Sequence, residues 1–117
     1  MSADGPAQTP APPYYAVIFT TLQPELSSEE VDAYAATAAT MEELAREEPG
    51  FLGIESARSG LGITVSYWSD TESIERWRTN TAHTLARDSG RDRWYEVYEL
   101  RVARVERAYG WRSGRSS

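Results

Sequence analysis

The spacing of hydrophobic residues changes along the chain in an order that predicts alternating strands and helices. Apolar residues are nearly continuous over Tyr14–Leu22, which favours a strand that is covered on both faces. After Ser27 they recur at helical spacing, and Ser27 with Glu30 has the form of a capping box. Pro49 and Gly50 are expected to end this helix. Its predicted core stripe consists of Val31, Tyr34, Ala38, Met41 and Leu44.

Two shorter β segments follow at 51–58 and 62–68, and the glycine-bearing loop between them predicts a hairpin. In the second segment Thr64, Ser66 and Trp68 share one face. That face is polar with an aromatic end, which suits a cavity wall. A face turned toward solvent or another subunit fits the same pattern equally well.

A second helix is predicted after the hairpin, with Ser69 or Asp70 as its cap and Ser69 with Glu72 as a capping box. Asn80 and His83 fall on one side of this helix if it runs unbroken. The threonines beside Asn80 are weak helix formers, so a break that re-aims His83 is the alternative.

The last β segment is predicted over 95–109, after a short turn at 91–94. Strands usually have about five or six residues, so this one is too long to pair fully inside a small sheet. Its excess is expected to pair with another chain, because a bare strand edge promotes aggregation.

The order β-α-β-β-α-β predicts an α+β, ferredoxin-like fold with a four-stranded antiparallel sheet. Right-handed crossovers place both helices on one face of the sheet. The apolar first strand indicates that the opposite face is buried too, and a second copy of the chain is the simplest cover. We therefore expect a homodimer in which the sheets meet face to face.

The 117 residues suit one domain, which we place at 14–111. The segment 1–13 is rich in Pro and Ala and is predicted to be a disordered or extended arm. The segment 112–117 is predicted to be a polar tail.

Composition excludes several function classes. The net charge of −6 argues against nucleic acid as a partner, and apolar runs fall short of the roughly 20 residues of a membrane helix. The absence of Cys and of a signal-like leader predicts a cytoplasmic protein without disulfides. A single His and no Cys give no recognisable set of metal ligands.

Two segments closely resemble the antibiotic biosynthesis monooxygenase domain family. They read Y-W-S-D-T-E-S-I-E-R-W-R-T-N-T-A-H at 67–83 and W-Y-E-V-Y-E-L-R-V-A-R-V-E-R-A-Y-G at 94–110. Within them, Asn80 with His83 and the E-R-x-Y-G ending at 106–110 are similar to a branch of small bacterial members. The resemblance covers residues 14–111 and implies a dimeric α+β barrel with a pocket between sheet and helices. It also implies oxidation of aromatic polyketides without metal or flavin, or, in other relatives, heme degradation.

The heme-degrading relatives have an Asn on the first strand, a Trp on the second long helix and a His well after that Trp. Trp77 matches the Trp, but His83 comes too early, Arg87 stands at the expected place and 14–22 contains no Asn. Heme, with His83 as its axial ligand, is therefore kept only as an alternative cofactor.

Oxygenation without a cofactor requires a base, an anion stabiliser and a dry pocket around a substrate that can be deprotonated. His83 is the expected base because imidazole titrates near neutrality, and Asn80 could orient it; a surface role for His83 is the plainer alternative. Aromatic side chains are expected to bind a flat substrate, although each also suits a core or a dimer interface. They are Trp68, Trp77, Trp94, Tyr67 and Tyr98.

The sequence thus predicts a cofactor-independent monooxygenase that oxidises a small aromatic or quinone-like metabolite. Two alternatives stay open. One is a non-catalytic dimeric barrel that binds a small apolar ligand, since fold does not fix function. The other is a heme-degrading monooxygenase.

Overall fold

The computed structural model describes residues 5–88 and 90–114. This part of the chain contains four strands and three helices: β1 (Tyr14–Leu22), α1 (Ser28–Arg46), β2 (Phe51–Ser59), β3 (Leu61–Trp68), α2 (Thr71–Arg87), α3 (Gly90–Trp94) and β4 (Val97–Val105). None of these helices combines the length and the apolar run needed to cross a bilayer. Residues 1–4 of the predicted arm, Ser89 and residues 115–117 of the predicted tail lie outside the described residues.

The strands found in this part of the chain form a four-stranded antiparallel sheet with the order β2-β3-β1-β4. Element order and sheet topology confirm the predicted ferredoxin-like α+β fold. The bounds of β1 are those predicted. The hairpin is tighter than predicted, because Gly60 alone, at φ 80°, connects β2 to β3.

The strand register divides the sheet residues between two faces. Directly opposed residues share a face, and Val17 lies opposite Ser66 of β3. We call this side the helix face, because Val17 packs with Ile74 of α2. The other side, on which Ala16 lies opposite Tyr67, is called the open face.

The core lies between the helix face and the two long helices. Its buried centre consists of Val17, Ala45, Trp68 and Ile74. Trp77 packs on Trp68 with ring centroids 5.4 Å apart. The Trp77 indole nitrogen also donates to the Met41 carbonyl at 3.0 Å, which ties α2 to α1 above the core.

The cap of α1 is the predicted Ser27, whose hydroxyl accepts from the Glu30 amide at 3.2 Å. The Glu30 side chain does not return to Ser27, because its carboxylate accepts from Trp94 and Arg93 instead. The predicted inward stripe of α1 is also wrong at its start. Val31 is 50% exposed, and the buried positions lie further along the helix.

The cap of α2 is Asp70, whose carboxylate accepts from the Ser73 amide at 2.7 Å. The alternative cap at Ser69 is wrong, since Asp70 is the extended residue directly before the helix. The helix then runs unbroken to Arg87. A break near Asn80 therefore does not occur.

The final strand is shorter than predicted. β4 has 9 residues, Val97–Val105, because its ladder with β1 ends where β1 ends. Val97 lies opposite Leu22 and Val105 lies opposite Tyr14. The short turn predicted before this strand is instead the helix α3.

The arm forms neither helix nor strand over its described residues and lies against part of the open face. The Ala7 amide donates to Glu55 Oε1 at 2.7 Å, and the Thr9 hydroxyl donates to Tyr14 Oη at 2.8 Å. A Cβ on Gly53 would lie 3.2 Å from the Ala7 methyl, so this glycine leaves room for the arm. The chain therefore covers some of the face that we expected only a second copy to cover.

Candidate functional site

The predicted catalytic pair lies on the solvent side of α2. Asn80 and His83 are both exposed, because Ile74, Thr81 and Thr84 occupy the buried side of the same helix. The two residues do lie on one side of an unbroken helix, as the spacing predicts.

Asn80 lines an open surface depression of about 380 Å³ between α2 and the segment that precedes β2. An ion pair crosses it, with Arg76 Nε 2.9 Å from Glu48 Oε1. His83 is not among the residues that line this depression. A catalytic role for Asn80 and His83 stays a prediction.

The five aromatic residues predicted to bind a substrate fall into three groups. Trp68 and Trp77 pack together in the core. Trp94 and Tyr98 belong to a second cluster at the end of the sheet. Tyr67 lies on the open face, where burial, and after it the bond from its hydroxyl to Glu55 at 2.6 Å, raise its pKa. The structure does not join these residues into one pocket wall, so substrate binding by them stays a prediction.

Several rings pack together at the end of the sheet where β1 ends and α1 begins. The members of this aromatic cluster are Phe19, Tyr34, Trp94, Tyr95 and Tyr98. The central ring is Tyr95, which lies 5.8 Å from Phe19, 6.1 Å from Tyr34 and 5.5 Å from Tyr98, each time edge to face.

Glu30 holds α3 against the start of α1 beside this cluster. Its carboxylate accepts from Arg93 Nη2 at 2.6 Å and from the Trp94 indole at 2.9 Å. These two hydrogen bonds, the one from Arg93 first, lower the pKa of Glu30. The clamp fixes Trp94, and with it the neighbouring Tyr95, against α1.

A positively charged side chain, that of Arg58, lies on the helix face at the same end of the sheet. We call this end the hairpin end, because the turn at Gly60 is there. Arg58 projects from the edge strand β2, and its Nη2 donates to Thr21 Oγ1 at 2.7 Å. Gly62 lies opposite both residues, on the strand between them. A Cβ at Gly62 would collide with the guanidinium, so the glycine leaves the space that Arg58 crosses.

Two polar atoms in the described part of the chain are buried without a hydrogen-bond partner. They are Tyr95 Oη and Gln23 Nε2. Tyr95 as a whole is only 7% exposed. Burial raises its pKa most, and the nearby Tyr34 hydroxyl acts in the same direction without meeting hydrogen-bond geometry, whereas the charge of Arg58 acts in the opposite direction.

Sequence reasoning missed Arg58, which lies outside the two family-like segments, and Tyr95, which lies inside the segment 94–110 but outside its E-R-x-Y-G ending. The relevant signal was the pair of Arg58 and Gly62, which acquires meaning only when the hairpin register places them opposite each other. The polar face of β3 was recognised, and the structure does turn it toward the helices, with Ser66 and Trp68 buried.

The alternative heme cofactor does not fit these residues. A heme iron needs an axial ligand beside an apolar slot, but His83 is exposed and Trp77 packs in the core. Over residues 5–88 and 90–114, no three His, Asp or Glu side chains lie close enough together to hold a metal ion.

The hairpin end therefore combines aromatic rings with hydrogen-bond donors. Arg58, Tyr95 and Gln23 each present N–H or O–H groups, while the rings of Phe19 and Tyr98 provide apolar edges. Such a set can hold a flat molecule and stabilise negative charge on one of its oxygens.

Comparison with known proteins agrees with this fold. The family model described as antibiotic biosynthesis monooxygenase matches residues 13–89. The chain is 50% identical over 103 residues to the uncharacterized protein YqjZ of Bacillus subtilis (strain 168), across 86% of this chain and 87% of that protein. It is 36% identical over 97 residues to the jasmonate monooxygenase ABM of Pyricularia oryzae, across 78% of this chain but only 43% of that protein.

A solved structure shows the same fold. SnoaB, described as a cofactor-independent oxygenase from Streptomyces nogalater and solved in a mutant form, matches with a TM-score of 0.56 over 88% of this chain and 98% of its own. The identity is 13%, so this likeness concerns the fold alone. Because the family model covers most of the sheet and both long helices, and half of the positions aligned with YqjZ are identical, the chain belongs to the antibiotic biosynthesis monooxygenase family.

Proposed function

We propose that this protein is a monooxygenase that oxidises a small aromatic or quinone-like metabolite without metal or flavin. The observation that supports this most is the Tyr95 hydroxyl, buried in the aromatic cluster without a partner in the described residues. Such a group costs free energy unless a bound molecule uses it. The family, and a fold shared with a cofactor-independent oxygenase, support the same reaction class.

The proposed reaction draws its electrons from the substrate. An activated methylene beside a phenol, as in a hydroxylated anthrone, loses a proton to give an enolate that reduces O₂. One oxygen atom becomes a new carbonyl on that carbon, and the other leaves as water with the two methylene hydrogens. Tyr95 would donate a hydrogen bond to a negatively charged oxygen of the bound substrate.

The proton acceptor in this proposal has two candidates. The predicted pair is His83 with Asn80, and both are exposed. Because both side chains lie on the solvent side of α2, away from the aromatic cluster, their placement favours a second route in which solvent takes the proton from the substrate. His83→Ala separates the routes: a fall in kcat/KM of about 100-fold or more would assign the base to α2, and an unchanged value would exclude it.

The test of the reaction is O₂ uptake with a panel of hydroxylated anthrones and hydroquinones. We expect Tyr95→Phe to lower kcat/KM by roughly 10-fold or more, the usual order for one oxyanion donor. Tyr14→Phe is the matched control, because Tyr14 is also buried but lies on the open face beside Tyr67. No uptake with any substrate of the panel would refute the proposal.

A non-catalytic binding protein is the second candidate. It is favoured by the position of the single His, which is exposed and lies outside the aromatic cluster. In that case a flat ligand should quench Trp fluorescence in wild type and in His83→Ala alike, with no O₂ uptake in either. Loss of binding in His83→Ala would count against this candidate.

We further propose that two copies of the chain associate through the open face. Four large apolar residues are 40–53% exposed there, around the hairpin end: Leu22, Leu61, Ile63 and Val97. Contiguous exposed apolar residues are typical of protein interfaces. In the C-terminal segment, Tyr109 and Trp111 are 89% and 84% exposed.

The charged residues of the open face could form ion pairs between two copies related by a two-fold axis. Glu99 and Arg101 lie on this face of β4 and are exposed, so an antiparallel partner could pair each with the other. Sedimentation at micromolar concentration should therefore give twice the chain mass of 13.1 kDa. A compact monomer would exclude the dimer. A cytoplasmic location stays a prediction, which fractionation of cells expressing the chain would test.

A further inference from the structure

The hairpin end of the sheet has buried hydrogen-bond donors that lack acceptors. Gln23 Nε2 and Tyr95 Oη are buried without a partner in the described residues. An amide nitrogen can only donate, and a phenol hydroxyl can donate as well as accept. Buried polar atoms in native proteins normally have partners, so two such donors at neighbouring ends of β1 and β4 call for an explanation.

Arg58 adds a positive charge to this region. Thr21 engages one guanidinium nitrogen, and the ion pairs found over residues 5–88 and 90–114 do not include Arg58. Ordering a long side chain costs conformational entropy, and here one hydroxyl and the gap above Gly62 hold it. The remaining N–H groups of the fork are free to bind two oxygens side by side.

We infer that the helix face at the hairpin end binds the carboxylate of a small aromatic acid, with Arg58 as its ionic partner and Tyr95 and Gln23 as further donors. The rings of Phe19 and Tyr98 then contact the body of the acid. This assignment names the substrate class of the proposed oxygenase and in that sense rests on it. Binding of the acid can nevertheless be measured without turnover.

Acidic groups limit the direction from which such an anion can arrive. Asp92 and Glu96, with Tyr95 and Tyr98, line an open depression of about 430 Å³ beside β4. The net charge of −6 also repels anions at long range. The carboxylate therefore approaches from the β2 side, where Arg58 is exposed, and recognition depends on direct contact, not on electrostatic steering.

The test compares 2-naphthoate with 2-naphthamide, a neutral compound of nearly the same shape, by isothermal titration calorimetry on the full chain. We expect the acid to bind about 10-fold tighter or more, because hydrogen bonds between charged groups are the strong ones. Equal affinities, or a Kd above about 5 mM for both compounds, would overturn the inference.

Substitutions then show which residues cause the preference for 2-naphthoate over 2-naphthamide. Arg58→Gln should abolish it by weakening 2-naphthoate alone, and Gly62→Ala should do the same by displacing the guanidinium without removing its charge. Arg78→Gln is the matched control, since it removes a charge from an exposed arginine of α2. A preference that survives Arg58→Gln would contradict the assignment.

Tyr95→Phe separates a binding role from a structural one. Removing a buried hydroxyl that has no partner should leave the free energy of unfolding of the free protein unchanged or slightly higher. The same change should weaken 2-naphthoate by several-fold. Marked destabilisation with unchanged affinity would instead make the hydroxyl structural and remove it from the site.

The experiments distinguish a failure of the carboxylate site from a failure of the proposed oxygenation. A preference for the acid that depends on Arg58, together with no O₂ uptake, would leave the carboxylate site in place and refute only the oxygenation. O₂ uptake with neutral anthrones that is indifferent to Arg58→Gln, without any preference for 2-naphthoate, would refute only the carboxylate site.

Discussion

Trp68 and Tyr67 are neighbours on one strand but belong to two regions of different character. Trp68 points into the helix face, is fully buried and packs on Trp77. Tyr67 points into the open face, is half-buried and donates to Glu55, which also accepts from the arm. The helix face contains the core and the donors that lack acceptors. The open face contains the exposed apolar residues around the hairpin end through which we propose that two copies associate. Alternation along a strand thus separates the proposed ligand site from the proposed interface.

The largest expected effect of this contrast is on stability. Trp68→Ala should lower the free energy of unfolding by about 3–5 kcal/mol, the usual cost of truncating a buried aromatic. Its neighbour Tyr67→Ala should cost clearly less, because its ring is only half-buried. Urea unfolding of both variants, followed by far-UV circular dichroism, measures the difference. Equal costs would show that the open face is packed as tightly as the helix face.

The next effect concerns association. Ile63→Glu places a charge in the middle of the exposed apolar residues and should weaken the proposed dimer by about 100-fold, as an unpaired buried charge at an interface costs several kcal/mol. Sedimentation across a concentration series measures the dissociation constant. Ser56→Glu, which adds the same charge to an exposed position of the helix face, is the control and should leave it unchanged. A dimer unaffected by Ile63→Glu must use another surface.

Much of the fold was predictable from local pattern. The nine apolar or threonine positions of β1, the Ser27 cap and the end of α1 before Pro49 and Gly50 are each decided by neighbouring residues. The length of β4 was not, because its ends are set by pairing with β1. Tertiary pairing, which a single strand does not encode, decided where the strand stops.

The site was less predictable for a related reason. His83 attracts attention by its chemistry, yet the helix period that places Ile74 inward also places His83 outward. Arg58 and Tyr95 look ordinary in the sequence. The interest of Arg58 comes from a glycine that lies opposite it across the hairpin, and that of Tyr95 comes from a hydroxyl buried by residues of other elements.

A smaller effect on stability is expected from the N-cap of α2, one of the two long helices that cover the helix face. Asp70→Ala should destabilise the protein by about 1 kcal/mol at pH 7, the typical loss of an N-cap. Hydrogen bonds, first that from the Ser73 amide, lower the pKa of Asp70 in the folded state. The stabilisation is thus complete above the unfolded pKa of about 3.9 and is lost as the pH falls through the lower folded value.

The difference between wild type and Asp70→Ala should therefore shrink in acid. Asp70→Asn is the matched control, since asparagine caps a helix equally well but does not titrate. Unfolding curves at pH 7 and at pH values below about 4 measure both differences. If the difference in free energy of unfolding between wild type and Asp70→Ala is unchanged in acid, the charge of Asp70 does not contribute to stability.

The smallest expected effect on stability concerns the contact between the arm and the open face. Glu55→Ala removes the acceptor of the Ala7 amide and of the Tyr67 hydroxyl, and should cost only about 0.5–1.5 kcal/mol, the net value of a hydrogen bond. Two local readouts are sharper than stability: the Ala7 amide should exchange faster with D₂O, and the pKa of Tyr67, which Glu55 helps to raise, should fall. Glu99→Ala, an exposed acid on the same face, should change neither. Unchanged exchange at Ala7 in Glu55→Ala would mean that the arm is held to the open face by packing against Gly53 and Tyr14, not by this carboxylate.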